Sequence, residues 1–156
     1  MNQTTESKQF VHDPLALERQ ICFKLYAASN LVTRMYRPLL NKLGITYPQY
    51  LVMLVLWESD PQTVSALGTR LYLDSGTLTP LLKRLEVAGL VVRRRDEEDE
   101  RRVLIGLTEA GRALRESVCL IPETLRNNTP LTTAQLDSLS LSLAQLIAAQ
   151  QTMPGD

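Results

Sequence analysis

Residues Tyr72 to Leu107 read YLDSGTLTPLLKRLEVAGLVVRRRDEEDERRVLIGL, and the reading of this stretch decides the fold. By pattern it is a turn, one amphipathic helix and two β-prone segments that flank a charged tip. Asp74 is a good N-cap, because a short side-chain oxygen can accept an orphan backbone N–H of the first turn. Leu78, Leu81, Leu82 and Leu85 recur at helical spacing and make one apolar stripe. The other face carries Ser75, Thr77, Thr79, Lys83 and Arg84, small polar groups first and cations after. Gly89 ends the helix, where a left-handed backbone is favoured. Leu90 to Arg93 and Val103 to Leu107 are predicted strands of a hairpin. A short helix from about Val64 to Leu71 precedes this stretch. Over residues 62–107 the outline is that of a winged helix-turn-helix, an architecture that sets one helix into a DNA groove.

Pro80 lies beyond the first turn, where it removes a backbone bond at a usual cost of ~3 kcal/mol. The carbonyl it frees is that of Gly76, close enough to the helix start for water to reach. The first turn is therefore expected to be exposed and slightly irregular. Small side chains and free N–H groups there suit a phosphate or a base edge. The plain alternative is a solvated surface helix.

At 156 residues the chain is expected to form one domain, residues 1–156, with its own core. Seventeen Lys and Arg balance seventeen Asp and Glu, and a net charge of zero counts against nucleic-acid binding. Locally the balance differs: from Thr79 to Arg95, Lys83, Arg84, Arg93, Arg94 and Arg95 face only Glu86, and the acids collect at Asp96 to Glu100. A focused basic face on a neutral protein is compatible with salt-sensitive phosphate binding. The first ten residues lack the apolar segment of a signal peptide. The longest apolar run, Leu51 to Trp57, is too short to span a bilayer. A soluble, cytoplasmic protein is expected. Cys22 and Cys119 form no C-x-x-C pair and His12 is the single histidine, so no metal site is assembled from Cys and His. No phosphate-cradling loop or nucleophile elbow is present. The expectation is a protein without metal or cofactor that is not a conventional enzyme.

Taken in order, the chain starts with a predicted long helix from Pro14 to about Leu43. Leu17, Ile21, Leu25, Ala28, Val32, Met35, Leu39 and Leu43 give it one apolar stripe, and Pro38 is expected to kink it. Roughly 30 residues is more helix than one small domain needs to cover itself, and the surplus implies a partner chain. Cys22 and Tyr26 lie one turn apart on a neighbouring face. Cys22 and Tyr36 are fourteen positions apart, ~21 Å along a straight helix. They cannot meet within one unbroken helix, but they can across a symmetry mate. After Gly44, ITYPQYLVMLVLWES opens a second helix with Pro48 in its first turn. Leu51, Leu54, Val55 and Trp57 make it apolar nearly all round, hence central core, with Trp57 in a packing role. Asp60-Pro61 breaks the chain before the DNA-binding motif. Thr108 caps a predicted helix from Glu109 to about Arg126, interrupted near Pro122. Thr132 to Gln135 is a capping box, T-x-x-Q, opening a helix whose seam is Leu136, Leu139, Leu143 and Leu146. Residues 14–43 and 109–150 are the expected dimerisation helices.

The arrangement resembles the MarR family of bacterial repressors over nearly the whole chain, from about Asp13 to Ala149. D-E-R-R-V-L-I, Asp99 to Ile105, matches the D-x-R signature of that family's wing. Three stretches are similar to the organic-hydroperoxide regulators: Q-x-C-F-x-L-Y around Cys22, I-T-Y-P-Q-Y around Tyr47, and L-Y-L-D-S-G-T-L-T-P-L-L-K-R from Leu71. The resemblance implies a mainly α fold with a small β-hairpin wing, assembled as a MarR-like homodimer. It implies that Cys22 is a peroxidatic thiolate whose sulfur is hydrogen-bonded by Tyr36 and Tyr47 of the other subunit, with Tyr26 lining the pocket. It carries over Ser75, Thr77, Lys83 and Arg84 as major-groove contacts to double-stranded DNA at a palindromic operator. Arg101 would enter a minor groove, where a cation gains from the negative potential; Arg94 and Asp99 complete the wing's DNA-binding set. The chain departs from two-cysteine members, which carry a resolving cysteine near the positions of Arg126 to Asn128. Cys119 lies about two turns earlier, ~12 Å on a straight helix, and is either a resolving thiol or an apolar filler.

The implied function is a homodimeric DNA-binding transcriptional repressor. It would sense organic hydroperoxides by oxidation of Cys22 and then release its operator. One alternative is a MarR-type repressor released by a small phenolic ligand. Another is a thiol-dependent peroxidase, against which stands the lack of an arginine adjacent to Cys22, with only Arg19 and Lys24 nearby.

Overall fold

The computed structural model describes residues 13–151. The chain runs as α1 (Ile21–Asn41), α2 (Tyr47–Glu58), β1 (Gln62–Thr63), α3 (Val64–Leu71), α4 (Ser75–Val87), β2 (Val91–Arg95), β3 (Val103–Leu107), α5 (Glu109–Val118), α6 (Ile121–Asn127) and α7 (Thr133–Gln151). Two compact units divide between Ile121 and Pro122. The readings made of the first ten residues and of His12 fall outside the described residues.

The helix expected over 14–43 is shorter at both ends. Leu17–Arg19 form a single 3-10 turn, and Gln20 is extended at φ −79° and ψ 113° before α1 begins. The Gln20 side-chain amide donates to the carbonyls of Pro14 and Ala16, at 2.7 and 3.4 Å. It thus occupies acceptors that a continuous helix would have used. Pro38 lies inside α1 without ending it.

At the start of α2, the Gln49 side-chain oxygen accepts from the backbone N–H and the hydroxyl of Thr46, at 2.8 and 3.1 Å. Pro48 fits the first turn, where no backbone donor is needed. The core forms where α2 meets the winged helix: Val52, Met53 and Leu56 close against Leu67, Leu78, Leu82, Leu85 and Ile105. Each such side chain contributes roughly 1.5–3 kcal/mol by leaving water. As expected, α2 is central core, but of the four side chains named for that role only Val55 is buried: Leu54 is 36% exposed, Leu51 and Trp57 are half-buried, and Tyr50, Val52, Met53 and Leu56 carry the rest of the burial. The packing elements cover α2 from several sides, but not along the line of Leu54.

The winged helix follows its caps. Thr63 accepts from Ala66 N at 3.0 Å to start α3, and Asp74 accepts from Thr77 N at 2.8 Å to start α4. Between them Tyr72 takes a left-handed backbone, φ 54°. The expected irregular first turn is absent: α4 is regular from Ser75 through Pro80 to Val87. Only one bond of its ladder is lost there, near an exposed end. Gly89, at φ +72°, turns the chain into β2. β2 extends to Arg95, past the expected Arg93, because Arg94 and Arg95 pair with Leu104 and Val103. Gln62 and Thr63, not foreseen as a strand, pair with Ile105 and Leu104, giving the antiparallel order β1-β3-β2.

The helix expected from Glu109 to about Arg126 is two helices, parted at Cys119 and Leu120. Pro122 has no N–H to give the Val118 carbonyl, so the ladder lapses there. In the second unit, Thr132 N donates to the Gln135 side chain at 2.9 Å and Gln135 N donates to the Thr132 hydroxyl at 3.3 Å, the expected reciprocal cap. Along α7, Leu139, Leu141, Leu146 and Ile147 are exposed on this chain. No helix among the described residues is long and apolar enough to cross a membrane.

Candidate functional site

The basic face is built on α4 and the hairpin. Ser75, Gly76 and Thr77 are exposed in the first turn of α4. The Asp74 carboxylate accepts from both the backbone and the hydroxyl of Thr77, at 2.8 and 3.0 Å. These bonds hold its carboxyl below the usual 3.8. The Thr77 hydroxyl proton is therefore engaged in the cap, leaving its oxygen lone pairs and methyl toward solvent. Lys83 and Arg84 are exposed one turn from the end of α4. Arg84 does not stand alone: with Arg37, Thr46 and Tyr47 it lines a cavity of about 330 Å³ between α4 and the α1–α2 corner.

The tip of the wing is folded by its own acids. Asp96 accepts from Glu98 N and Asp99 accepts from Arg101 N, both at 3.0 Å. Arg102 pairs with Asp96 at 3.5 Å. Asp99 is thus a turn-former whose carboxylate fixes the backbone of Arg101, and Arg101 projects exposed. Arg101, Arg102, Arg93, Ser65 and Thr79 line a groove of about 410 Å³ between the helix-turn-helix and the wing. Arg94 falls on the other side of the hairpin, in a cavity of about 450 Å³ with Asp60, Asp96 and Arg112.

Arg93, which the sequence reading left as one cation of a run, ties the two parts together. Its guanidinium donates to the Thr79 carbonyl at 3.3 Å, and its buried Nε stands 3.4 Å from the Glu86 carboxylate. Strand alternation was the available signal: Arg93 shares a face with buried Val91, and Arg94 does not.

The thiol and the tyrosines lie at opposite ends of α1. Cys22 is exposed in the first turn, and Tyr26, 67% exposed, lies one turn on. Tyr36 stacks on Tyr47 with ring centroids 4.8 Å apart, and Tyr50 completes the cluster at 5.7 and 6.2 Å. Burial raises the phenols of Tyr36 and Tyr47 above the ordinary 10.0, and pushes Tyr50 up to about 12. All three stay protonated donors at neutral pH. The structure brings Tyr36 and Tyr47 together and keeps both apart from the Cys22 of their own chain, since α1 is unbroken between them. Sequence reading missed Tyr50, although it follows Tyr47 by three positions and so shares its face. Beside the thiol, Ile21, Leu31, Val32 and Met35 form an exposed apolar stripe on α1. Cys119 is exposed as well, its thiol donating to the Glu116 carbonyl at 3.0 Å, and so is not packed into a core.

The family described as transcriptional regulator SarA/Rot matches residues 34–118. The chain is 52% identical to the organic hydroperoxide resistance transcriptional regulator of Bacillus subtilis strain 168, over 86% of this chain and 92% of the relative. It is 49% identical to the HTH-type transcriptional regulator TtmR of Methylorubrum extorquens strain PA1, over 86% of this chain and 69% of that protein. Among solved structures, reduced AbfR bound to DNA superposes with a TM-score of 0.76 at 36% identity, covering 93% of this chain and 96% of the other.

Proposed function

The chain belongs to the MarR family of winged-helix transcriptional regulators, and from that premise we propose that it is a homodimeric repressor that lets go of DNA when an organic hydroperoxide oxidises Cys22. The observation that carries this reading is the separation on α1. An exposed thiol sits in a helix with an uncovered apolar stripe, while a pair of protonated phenols is gathered some fourteen residues away. A second copy packed antiparallel on that stripe would set its Tyr36 and Tyr47 over Cys22. Two phenol O–H groups can then hydrogen-bond the thiolate within an apolar cleft.

The chemistry is a two-electron displacement. The Cys22 thiolate, not the thiol, attacks one peroxide oxygen. The S–O bond forms as the O–O bond breaks, sulfur is oxidised to a sulfenic acid, and the leaving alkoxide takes a proton to become the alcohol. A neutral sulfenic acid is larger and a weaker acceptor than the thiolate, so the two phenols lose the charged partner that held them. On the DNA side, α4 would read the major groove with Ser75 and Thr77 of its first turn and with Lys83 nearer its end. Arg84 lines a cavity with Tyr47, and Arg101 would reach the minor groove. The basic groove between α3 and the wing supports that docking.

The test is a mobility-shift assay on a duplex selected by the reduced protein from a random library. Wild type should bind as a dimer by sedimentation and release on treatment with tert-butyl hydroperoxide, whereas Cys22→Ser should bind and not release. Cys119→Ser should release like wild type. A Cys22→Ser protein that still lets go would end the redox reading and leave a repressor released by a small ligand, for which the cavity lined by Arg37, Tyr47 and Arg84 offers a place.

A further inference from the structure

The tyrosine cluster does not end at Tyr50. That ring is 3% exposed and meets the indole of Trp57 edge-on, with centroids 6.4 Å apart at 63°, two turns further along α2. Trp57 Nε1–H donates to the Gly111 carbonyl at 2.9 Å, a bond between residues 54 positions apart in the chain. Gly111 lies in the first turn of α5 and is buried so closely that a Cβ there would stand 2.1 Å from the Leu90 carbonyl oxygen. The same Leu90 carbonyl accepts from Thr108 N at 3.1 Å, and the Thr108 hydroxyl donates to the Gly89 carbonyl at 2.6 Å. The first turn of α5 is therefore fastened to Gly89 and Leu90, two of the three residues that separate the end of α4 from β2.

We propose that Trp57 is a positioning residue for DNA release: its indole links the tyrosine cluster to the junction of α4, β2 and α5, so that movement of Tyr36 and Tyr47 reaches the wing. The inference rests on the redox reading above. Tyr36 and Tyr47 are half-buried, and Tyr47 borders the cavity of about 330 Å³, so these rings have room to move; the buried Tyr50, packed against both, has its place set by theirs. A change at Tyr36 or Tyr47 thus displaces Tyr50 and, through it, the indole edge. The indole N–H has one donor and needs an acceptor when desolvated, so it carries the Gly111 carbonyl with it. From Gly111 the contact passes to Leu90 without any flexible side chain between, since glycine presents only backbone there. A two-state element biased at one end by the thiol and at the other by DNA is what such coupling requires.

Trp57 is the single tryptophan of the chain, so the fluorescence of the whole protein reports this one contact. The reduced wild-type protein is bound to the labelled library-selected duplex and treated with tert-butyl hydroperoxide. Duplex anisotropy and tryptophan emission are followed together. The expected result is a shift or quench of the emission at the same rate as the loss of anisotropy, with neither change in Cys22→Ser. A second arm uses Trp57→Phe, which keeps an aromatic edge against Tyr50 but removes the donor. Its reduced form should bind the duplex roughly three- to tenfold more weakly, about what one hydrogen bond is worth. The ratio of reduced to oxidised affinity should shrink by a similar factor. DNA release with unchanged tryptophan emission would overturn the proposal and leave the redox reading intact. So would a folded Trp57→Phe protein with wild-type affinity and release, or an emission change that persists in Cys22→Ser. If wild type neither releases DNA nor changes emission, the redox reading itself fails and the coupling falls with it. Should Trp57→Phe not fold, the wild-type emission experiment decides alone.

Discussion

Replacing Gly111 by alanine sets two effects of opposite sign against each other. In a helix interior alanine is favoured over glycine by about 1 kcal/mol, so at an open site the variant would be the more stable protein. Here the new Cβ would lie 2.1 Å from the Leu90 oxygen, 3.1 Å from its carbonyl carbon and 3.3 Å from a Leu107 methyl. Ordinary contact begins at 3.4 Å, so the first turn of α5 must retreat from a backbone atom, which has no rotamer by which to move aside. The retreat is resisted on every side. Thr108 N bonds Leu90 O at 3.1 Å, Trp57 bonds Gly111 O at 2.9 Å, and Asp60 holds both Leu107 N at 2.9 Å and Arg112 at 2.7 Å. Overpacking a filled site costs about 1–3 kcal/mol, and each backbone bond stretched past use removes roughly 1 kcal/mol more. With one or two bonds lost and the propensity gain subtracted, Gly111→Ala should be destabilised by about 1–4 kcal/mol. For a chain of this size that lowers Tm by roughly 2–16 °C. Thermal unfolding followed by circular dichroism, at matched protein concentration, gives the answer. A variant at or above the wild-type Tm would show that α5 is not seated on Leu90, and the anchoring of the wing would have to be redrawn.

Three further outcomes follow from the site. Arg101→Ala should weaken duplex binding by roughly tenfold or more and flatten its salt dependence; anisotropy titrations across a salt series that match wild type would remove Arg101 from the interface. The Asp74 carboxyl is held below 3.8 by its bonds from Thr77, so its capping contribution is present above that value and is lost as pH falls through the lower folded value. Asp74→Ala should accordingly be less stable than wild type to urea at neutral pH and converge with it in strong acid; a gap that does not close would point to a cause other than the carboxylate. The three tyrosines have raised folded values, with Tyr50 near 12 against an ordinary 10.0. Their contribution is complete below 10.0 and declines as pH climbs toward 12, because the unfolded chain ionises first. Phenolate absorbance of Tyr36, Tyr47 and Tyr50 rising at the ordinary value, while the fold is intact, would contradict the packed cluster.

What was legible in the sequence was whatever a residue decides locally. Val64 and Leu71 bound α3 as expected, Asp74 caps α4, Gly89 ends it, and Thr132 with Gln135 opens α7, each because a side chain or a backbone preference acts within one turn. The family likeness read from three motifs agrees with the relatives found. What escaped depends on groups distant in the chain. β1 is two residues long and exists because β3 offers it a free edge. The break at Gln20 comes from a side chain folding back on Pro14, which no periodicity announces. Tyr50 and Arg93 were hidden by their company, one in an apolar run and one in a basic run. The regularity of α4 across Pro80 was misjudged because the cost of one missing bond was weighed without the four buried leucines that hold the helix.

The pairing of Gln62 and Thr63 with Ile105 and Leu104 closes the chain on itself. Just outside this neck, the Asp60 carboxylate accepts from Leu107 N and pins the two strands of chain that enter and leave. The segment from Gln62 to Leu107 is thus a loop whose ends meet, joined to the rest by one paired stem and packed on α2 through Leu67, Leu78, Leu82, Leu85 and Ile105. A segment with adjoining ends can be replaced without rerouting the chain on either side of it, provided the replacement keeps the apolar face that meets Val52, Met53 and Leu56. For transplantation the natural cuts lie between Pro61 and Gln62 and between Leu107 and Thr108, with Asp60 kept on the receiving scaffold and those five side chains kept on the insert.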